Sequence, residues 1–227
     1  MKAKLLLLII LISLAASHKA FASPLDKAFE RMNNFNEQDW SFQMISRGEE
    51  DTVEVFNPLA KPEWSLISIN GNHPSKKQIK AYYREIDEAE AEDDDGNLNL
   101  HEMIDVSSLR LLKDDGKVAK YSFTPILDDD DVDFTDKLEG ELWHNKQKDF
   151  IERFDFFSKA PFSPMAGVKI SNMQTSIRFQ EISKDIFVPK EIFSEVSGRA
   201  FIVKKVDEKE SQIYTNYQQV NKSNSRQ

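Results

Sequence analysis

From residue 40 onward the apolar residues of this chain recur at every second position. In "QDWSFQMIS", Trp40, Phe42 and Met44 alternate with Ser41 and Gln43, which predicts a half-buried strand. "DTVEVFNP" reads as its hairpin partner, joined through Arg47-Gly48-Glu49, and "EWSLISINGNHPS" as a third strand ending at Asn70-Gly71. The period then changes. Ser75 and Gln78 form a capping box, and "KKQIKAYYREIDEAEAE" follows as a helix with Ile79, Tyr82 or Tyr83, and Ile86 on its inner stripe. "NLHEMID" is expected to add one more helical turn. From Ser107 the two-residue period returns. "LRLLKDDGKVAKYSFTPIL" is a hairpin around Asp114-Asp115-Gly116, "DDDDVDFTD" a charged loop, and "KLEGELWHNKQKDFIERFDFF" a hairpin turning near Asn145-Lys146. Three further strand segments follow. Before residue 40, Ser23-Pro24 with Leu25, Ala28, Phe29 and Met32 predicts a short amphipathic helix. The fold class expected is mainly β (α+β): a curved antiparallel sheet built as a meander, with one long helix inserted after the third strand and a short N-terminal helix nearby.

The first 22 residues stand outside this pattern. Lys2 and Lys4 precede a continuous aliphatic run from Leu5 to Ala16, and Ala20-Phe21-Ala22 supplies small residues at the two positions a signal peptidase reads. The expectation is a leader, residues 1–22, cleaved after Ala22. A single domain over residues 23–220 and a polar, disordered tail over 221–227 follow it. No later apolar run is long enough to span a bilayer. There is no cysteine, so neither a disulfide nor an N-terminal lipidated cysteine is available. Together these point to the bacterial periplasm.

The formal charge is −9 and becomes −12 once Lys2, Lys4 and Lys19 leave with the leader. Such a surface repels phosphate backbones, which argues against a nucleic-acid partner. Catalytic material is thin. His73, His101 and His144 have no metal-ligand spacing, no Gly-x-Ser-x-Gly elbow is present, and the seven glycines are too few for a phosphate loop besides the turns. No enzyme activity and no cofactor are expected. "EAEAEDDDGNLNLHE" mimics a calcium loop, with Asp93, Asp95, Asn97 and Glu102 at ligand positions and Gly96 at the turn. However, Ala91 occupies the first position, where an aspartate belongs, and there is no second loop to pair with it. The reading preferred is an acidic helix end. The alternative is an interaction module that binds a partner protein through this loop, with weak calcium affinity.

The sixteen phenylalanines and three tryptophans fall mostly on the expected strands. Phe150, Phe154 and Phe156 are expected on one face of a strand, Trp40, Phe42 and Met44 on one face of another, with Ile177, Phe179 and Leu142 adding to two more. A single sheet of about nine strands has more inner face than two helices can cover. Barrel closure, side chains or an apolar ligand must fill the remainder.

From about Phe134 to Val220 the order is a strand carrying Gly140, its partner strand, a kink at Pro161-Phe162, a long strand, a strand start at Pro189, a turn at Gly198 and a closing "YTNYQQV". This resembles the periplasmic lipoprotein carrier LolA and its LolA-like relatives. "KPEWSLISINGNHPSKKQIKAYY" also resembles members of that superfamily. The resemblance implies an open half-barrel whose concave apolar face is lidded by helices and holds acyl chains. The function expected is therefore a soluble, non-enzymatic carrier for a lipid, acyl chain or lipoprotein, not integral to the membrane and served by a membrane-associated protein partner. Its expected lining is Trp40, Phe42, Met44, Leu142, Phe150, Phe154, Phe156, Ile177 and Phe179. The sequence departs from the carriers in its large acidic inserts.

Overall fold

The computed structural model describes residues 25–91, 100–126, 134–201 and 204–220. The expected leader, the tail, the charged loop up to residue 133 and the calcium-like positions Asp93, Asp95 and Asn97 lie outside the described residues.

Among the described residues the chain is one open antiparallel sheet with two α-helices. Eleven strands are described, every pairing antiparallel: β1 (Trp40–Arg47), β2 (Thr52–Phe56), β3 (Trp64–Ile69), β4 (Ile104–Asp114), β5 (Val118–Pro125), β6 (Leu138–Asn145), β7 (Phe150–Ser158), β8 (Phe162–Met165), β9 (Val168–Ser183), β10 (Ile186–Ala200) and β11 (Lys204–Gln219). Their spatial order is β3-β2-β1-β11-β10-β9-β7-β6-β5-β4, with β8 beside β9. The sheet does not close, and β3 and β4 are its two edges. The α-helices are α1 (Asp26–Met32) and α2 (Lys76–Ala91). Because β3 and β4 are consecutive strands on opposite edges, the segment containing α2 carries the chain from one edge to the other.

Local chemistry accounts for the element ends. The Ser75 amide donates to the Gln78 Oε1 at 2.9 Å and the Gln78 amide to the Ser75 Oγ at 3.4 Å, the reciprocal capping expected at the start of α2. The β4–β5 turn is set by Asp114, which accepts from the Gly116 amide at 2.8 Å, and by Gly116 itself at φ +87°. At the β6–β7 turn, Asn145 Oδ1 accepts from the amides of Gln147 and Lys148 at 3.0 and 2.8 Å.

Several expectations are corrected. Leu100–Met103 is a turn and not a helical one, and β4 begins at Ile104, before the expected Ser107. Pro189 does not start a strand. It lies inside β10 at a bulge between Pro189 and Glu191, where the ladder tolerates a missing donor. Gly198 is not a turn either. It pairs with Ile170 inside β10, where a Cβ would stand 2.2 Å from the Lys169 carbonyl oxygen, so close backbone approach explains the glycine. The Pro161-Phe162 kink leads into an additional short strand, β8.

Candidate functional site

One face can be followed across the whole sheet through directly paired residues. It runs Leu66, Glu54, Met44, Tyr214 from the β3 edge. From Gln212, two residues along β11 from Tyr214, it continues Ile192, Ile177, Phe154, Leu142, Tyr121, Leu111 to the β4 edge. Residues two apart on a strand share a face, so Phe42, Phe156 and Phe179 belong to it as well. This face carries both helices.

Helix α1 is pinned to it. Leu25, Ala28 and Phe29 are buried against Leu142, Ile151, Phe154 and Ile177. Each large apolar side chain so buried contributes roughly 1.5–3 kcal/mol. Polar bonds fix the ends of the helix. The Lys27 ammonium reaches Asp149 at 2.9 Å, Arg31 donates to the Lys148 carbonyl at 2.5 Å, and Arg31 also pairs with Asp185 while its guanidinium lies 5.4 Å from the Phe187 ring centre.

Helix α2 is held differently. No side chain from Lys76 to Glu88 is fully buried, and Ile79, Tyr82, Tyr83 and Ile86 are half-buried. One polar tie to the sheet is the Tyr82 hydroxyl, which donates to Glu54 Oε2 at 2.9 Å. Burial and the adjacent Glu54 carboxylate push the Tyr82 phenol well above its ordinary range, so it stays a donor. Glu54 shares the apolar face with Phe56 and Met44, next to a cluster in which Phe42 meets Phe56, Trp64, Tyr214 and Tyr217 at ring-centre distances of 5.2–5.9 Å. Burial, with the Glu37 and Glu54 carboxylates adding, pushes Tyr214 up to about 12. This end of the face is aromatic and electronegative.

Between the pinned helix and the aromatic cluster runs a half-buried strip: Met44, Tyr214 and Ile192, flanked by Phe156 and Phe179. The residues expected from sequence thus divide. Trp40 and Phe42 are buried at the aromatic end, at 8 % and 5 % exposure. Leu142, Phe154 and Ile177 are filled over by the protein's own core under α1. Met44, Phe156 and Phe179 keep partly open surface. Phe150 is buried as well, but a bulge at Glu152 separates it from Phe154, and Ile151 joins the cluster of Phe154. Phe150 stacks on Phe187, with ring centres 4.4 Å apart, next to Arg31 of α1. Ile192 and Tyr214 were missed from sequence. Their strands were legible, but the bulges at Lys190 and at Asn216 (φ +58°) hid which face each residue takes.

The opposite face carries its own depression of about 230 Å³, lined by Arg153, Gln174, Ser176, Arg178, Glu191 and Phe193. Its charges are already compensated. Arg153 bonds the buried Asp155 at 2.6–2.8 Å and lies 4.6 Å from the Trp143 ring centre, and Arg178 meets Glu191 at 3.3 Å. Among the described residues there is no group of three metal-ligating side chains, and Glu102 is exposed in its turn. Among them, too, no helix is long and apolar enough to cross a membrane.

Asp149 joins the site's rigid half. It takes Lys27 on one side and the buried His144 on the other, with His144 Nε2 2.8 Å from its Oδ1. Burial alone would raise its carboxyl, but the bonds from Lys27 and His144 outweigh that and hold it below the ordinary aspartate range. A depressed folded-state value gives stability that is present above the unfolded value, near pH 4, and is lost as pH falls through the folded one. Asp149→Asn removes the charge while keeping a residue that tolerates φ +55°. It is expected to cost about 1 kcal/mol at neutral pH and to flatten the acid limb of the stability profile below about pH 4, read by urea unfolding at a series of pH values. An unchanged acid limb contradicts this role.

Fold and site together define a class: a mainly β protein with one open antiparallel sheet whose apolar face is covered in part by a buried short helix and a half-buried longer one. No protein-family model matches the sequence, and no curated protein matches it. Among solved structures, a DUF1329 family protein from Desulfovibrio piger is similar over 87 % of this chain and 94 % of that chain, at 11 % identity and a TM-score of 0.32. That likeness is too weak to transfer a property.

Proposed function

We propose that this chain is a non-enzymatic periplasmic binding protein or carrier that holds a lipid, an acyl chain or the acylated end of a lipoprotein against the half-buried strip. The observation that supports it is the contrast between the two covers: the strip lies beside α1, whose Ala28 and Phe29 are buried, and near α2, in which no side chain from Lys76 to Glu88 is fully buried. An acyl chain needs no precise polar partners, since each buried methylene contributes about 0.8 kcal/mol. Displacing α2 would open the strip, and a membrane-associated partner protein would receive the cargo there. Glu37 and Glu54 at the aromatic end disfavour an anionic head group at that end, so a neutral acyl ligand suits it best.

Solvent extraction and native mass spectrometry of freshly purified protein are expected to recover a lipid. A neutral apolar fluorophore should bind the stripped protein, and Met44→Gln, which keeps the volume but adds an amide, should weaken that binding about tenfold with little change in melting temperature. Recovery of no lipid together with no fluorophore binding removes the proposal.

A further inference from the structure

The end of the sheet farthest along β10 from the strip has a different chemistry. The β8–β9 turn and the end of β10 lie side by side, because the Phe201 amide donates to the Gly167 carbonyl at 2.7 Å. Gly167, at φ +82°, leaves room for the Phe201 ring, whose carbons lie 3.2–3.3 Å from where a Cβ would stand. Phe201 itself is in the left-handed region at φ +51°, uncommon for an aromatic residue, and its side chain is 72 % exposed. Met165, paired with Val168 at the same turn, is 65 % exposed. These are the two most exposed large apolar side chains among the described residues. Behind them Phe162, Ile170, Val196 and Val206 form a buried cluster that gives the tip a firm base.

The charges around this tip run against the rest of the molecule. Lys169 stands directly opposite Arg199, and Arg199 directly opposite Lys205, so three cations line up across three strands, with Lys204 adjacent. All four are exposed. Like charges directly opposite each other cost a sheet stability. Lys205 bonds Asp207, and among the described residues Lys169, Arg199 and Lys204 have no ion-pair partner. A chain of net charge −9 has therefore gathered unpaired positive charge around its two most exposed apolar side chains.

We infer that this tip docks reversibly on an anionic lipid bilayer: Phe201 and Met165 enter the interface while Lys169, Arg199, Lys204 and Lys205 meet the head groups. The combination of exposed apolar side chains with a row of cations beside them matches the two components of interfacial binding, apolar insertion and attraction to anionic lipid. The negative charge elsewhere does not prevent this, because at physiological salt it is screened beyond about 8 Å. Arg199 lies seven residues along β10 from Ile192, roughly 20 Å of extended strand, so the inference does not rest on the acyl-binding strip.

The test is flotation of the full chain with phosphatidylcholine vesicles with and without phosphatidylglycerol, at low and high salt. The protein is expected to float with the anionic vesicles at low salt and to be released by high salt. The pair Lys169→Gln with Arg199→Gln should weaken binding about 25-fold, from about fivefold for each cation. Phe201→Asn keeps a residue suited to the left-handed backbone and, by removing the ring, should weaken binding at least about tenfold. Phe201→Trp should float like the parent and shift its fluorescence to the blue on binding. Failure of the parent to float, flotation indifferent to phosphatidylglycerol, or flotation undiminished in Phe201→Asn overturns the inference. So does a dimer that Phe201→Asn dissociates in the absence of any vesicle binding, which would make the tip a contact between copies.

Discussion

Phe154→Ala is expected to lower the unfolding free energy by about 3–5 kcal/mol, the largest single effect in the molecule. Phe154 is 1 % exposed and sits where three layers of contact meet. Leu142 and Ile177 flank it on the neighbouring strands, the Phe123 ring lies 5.0 Å away centre to centre, and α1 covers it with Leu25, Ala28 and Phe29. None of these can collapse far into the void. The strands are held by their ladders and α1 by its bonds to Asp149 and Asp185. The same truncation at Phe179, which is half-buried on the strip, should cost less than half as much. Urea unfolding of both variants checks the pair. Equal losses at the two positions would falsify the division into a filled core and an open strip.

Gly198→Ala should cost about 3 kcal/mol, more than a surface strand glycine would suggest. Its new methyl would lie 2.2 Å from the Lys169 carbonyl oxygen and 3.0 Å from the Ile170 Cα. Both obstacles are backbone, so only a parting of β9 from β10 at the bulge relieves the clash, and that breaks ladder hydrogen bonds. Gly140 makes the useful contrast. There the obstacle is the Phe123 ring, with carbons 2.0–2.5 Å from the Cβ position. A smaller side chain at position 123 can relieve Gly140→Ala, whereas no side-chain change relieves Gly198→Ala. Thermal melting of the two glycine variants, alone and with Phe123→Leu, checks this. Rescue of Gly198→Ala by Phe123→Leu would contradict the backbone origin of the cost.

Most of the architecture was legible because period and punctuation are local signals. The alternation of Trp40, Phe42 and Met44, the Ser75–Gln78 cap and the Asp114-Asp115-Gly116 turn each state their structure within a few residues. What could not be read depends on irregularity. Phe150 and Phe154 look like neighbours in one cluster by counting, and a single extra residue at Glu152 separates them, so that Ile151 packs with Phe154 and Phe150 stacks on Phe187. Gly198 looks like a turn because glycine in a polar stretch usually marks one, and only the approach of a second strand shows its real reason. The same holds for the lining. Sequence pointed to apolar strand faces, but which of those residues α1 buries, and which stay half-open, is decided by where a seven-residue helix lands. Ile192 and Tyr214 were invisible for that reason and because bulges at Lys190 and Asn216 intervene.

The order of strands carries a temporal consequence. β1, the first strand described, has β11, the last one described, as its inner neighbour. Until Lys204–Gln219 has emerged, the β1–β3 hairpins have nothing to join on that side, and the aromatic cluster lacks Tyr214 and Tyr217. The β1–β11 ladder therefore closes the longest loop among the described pairings, and it is expected to form after the local hairpins on either side of it.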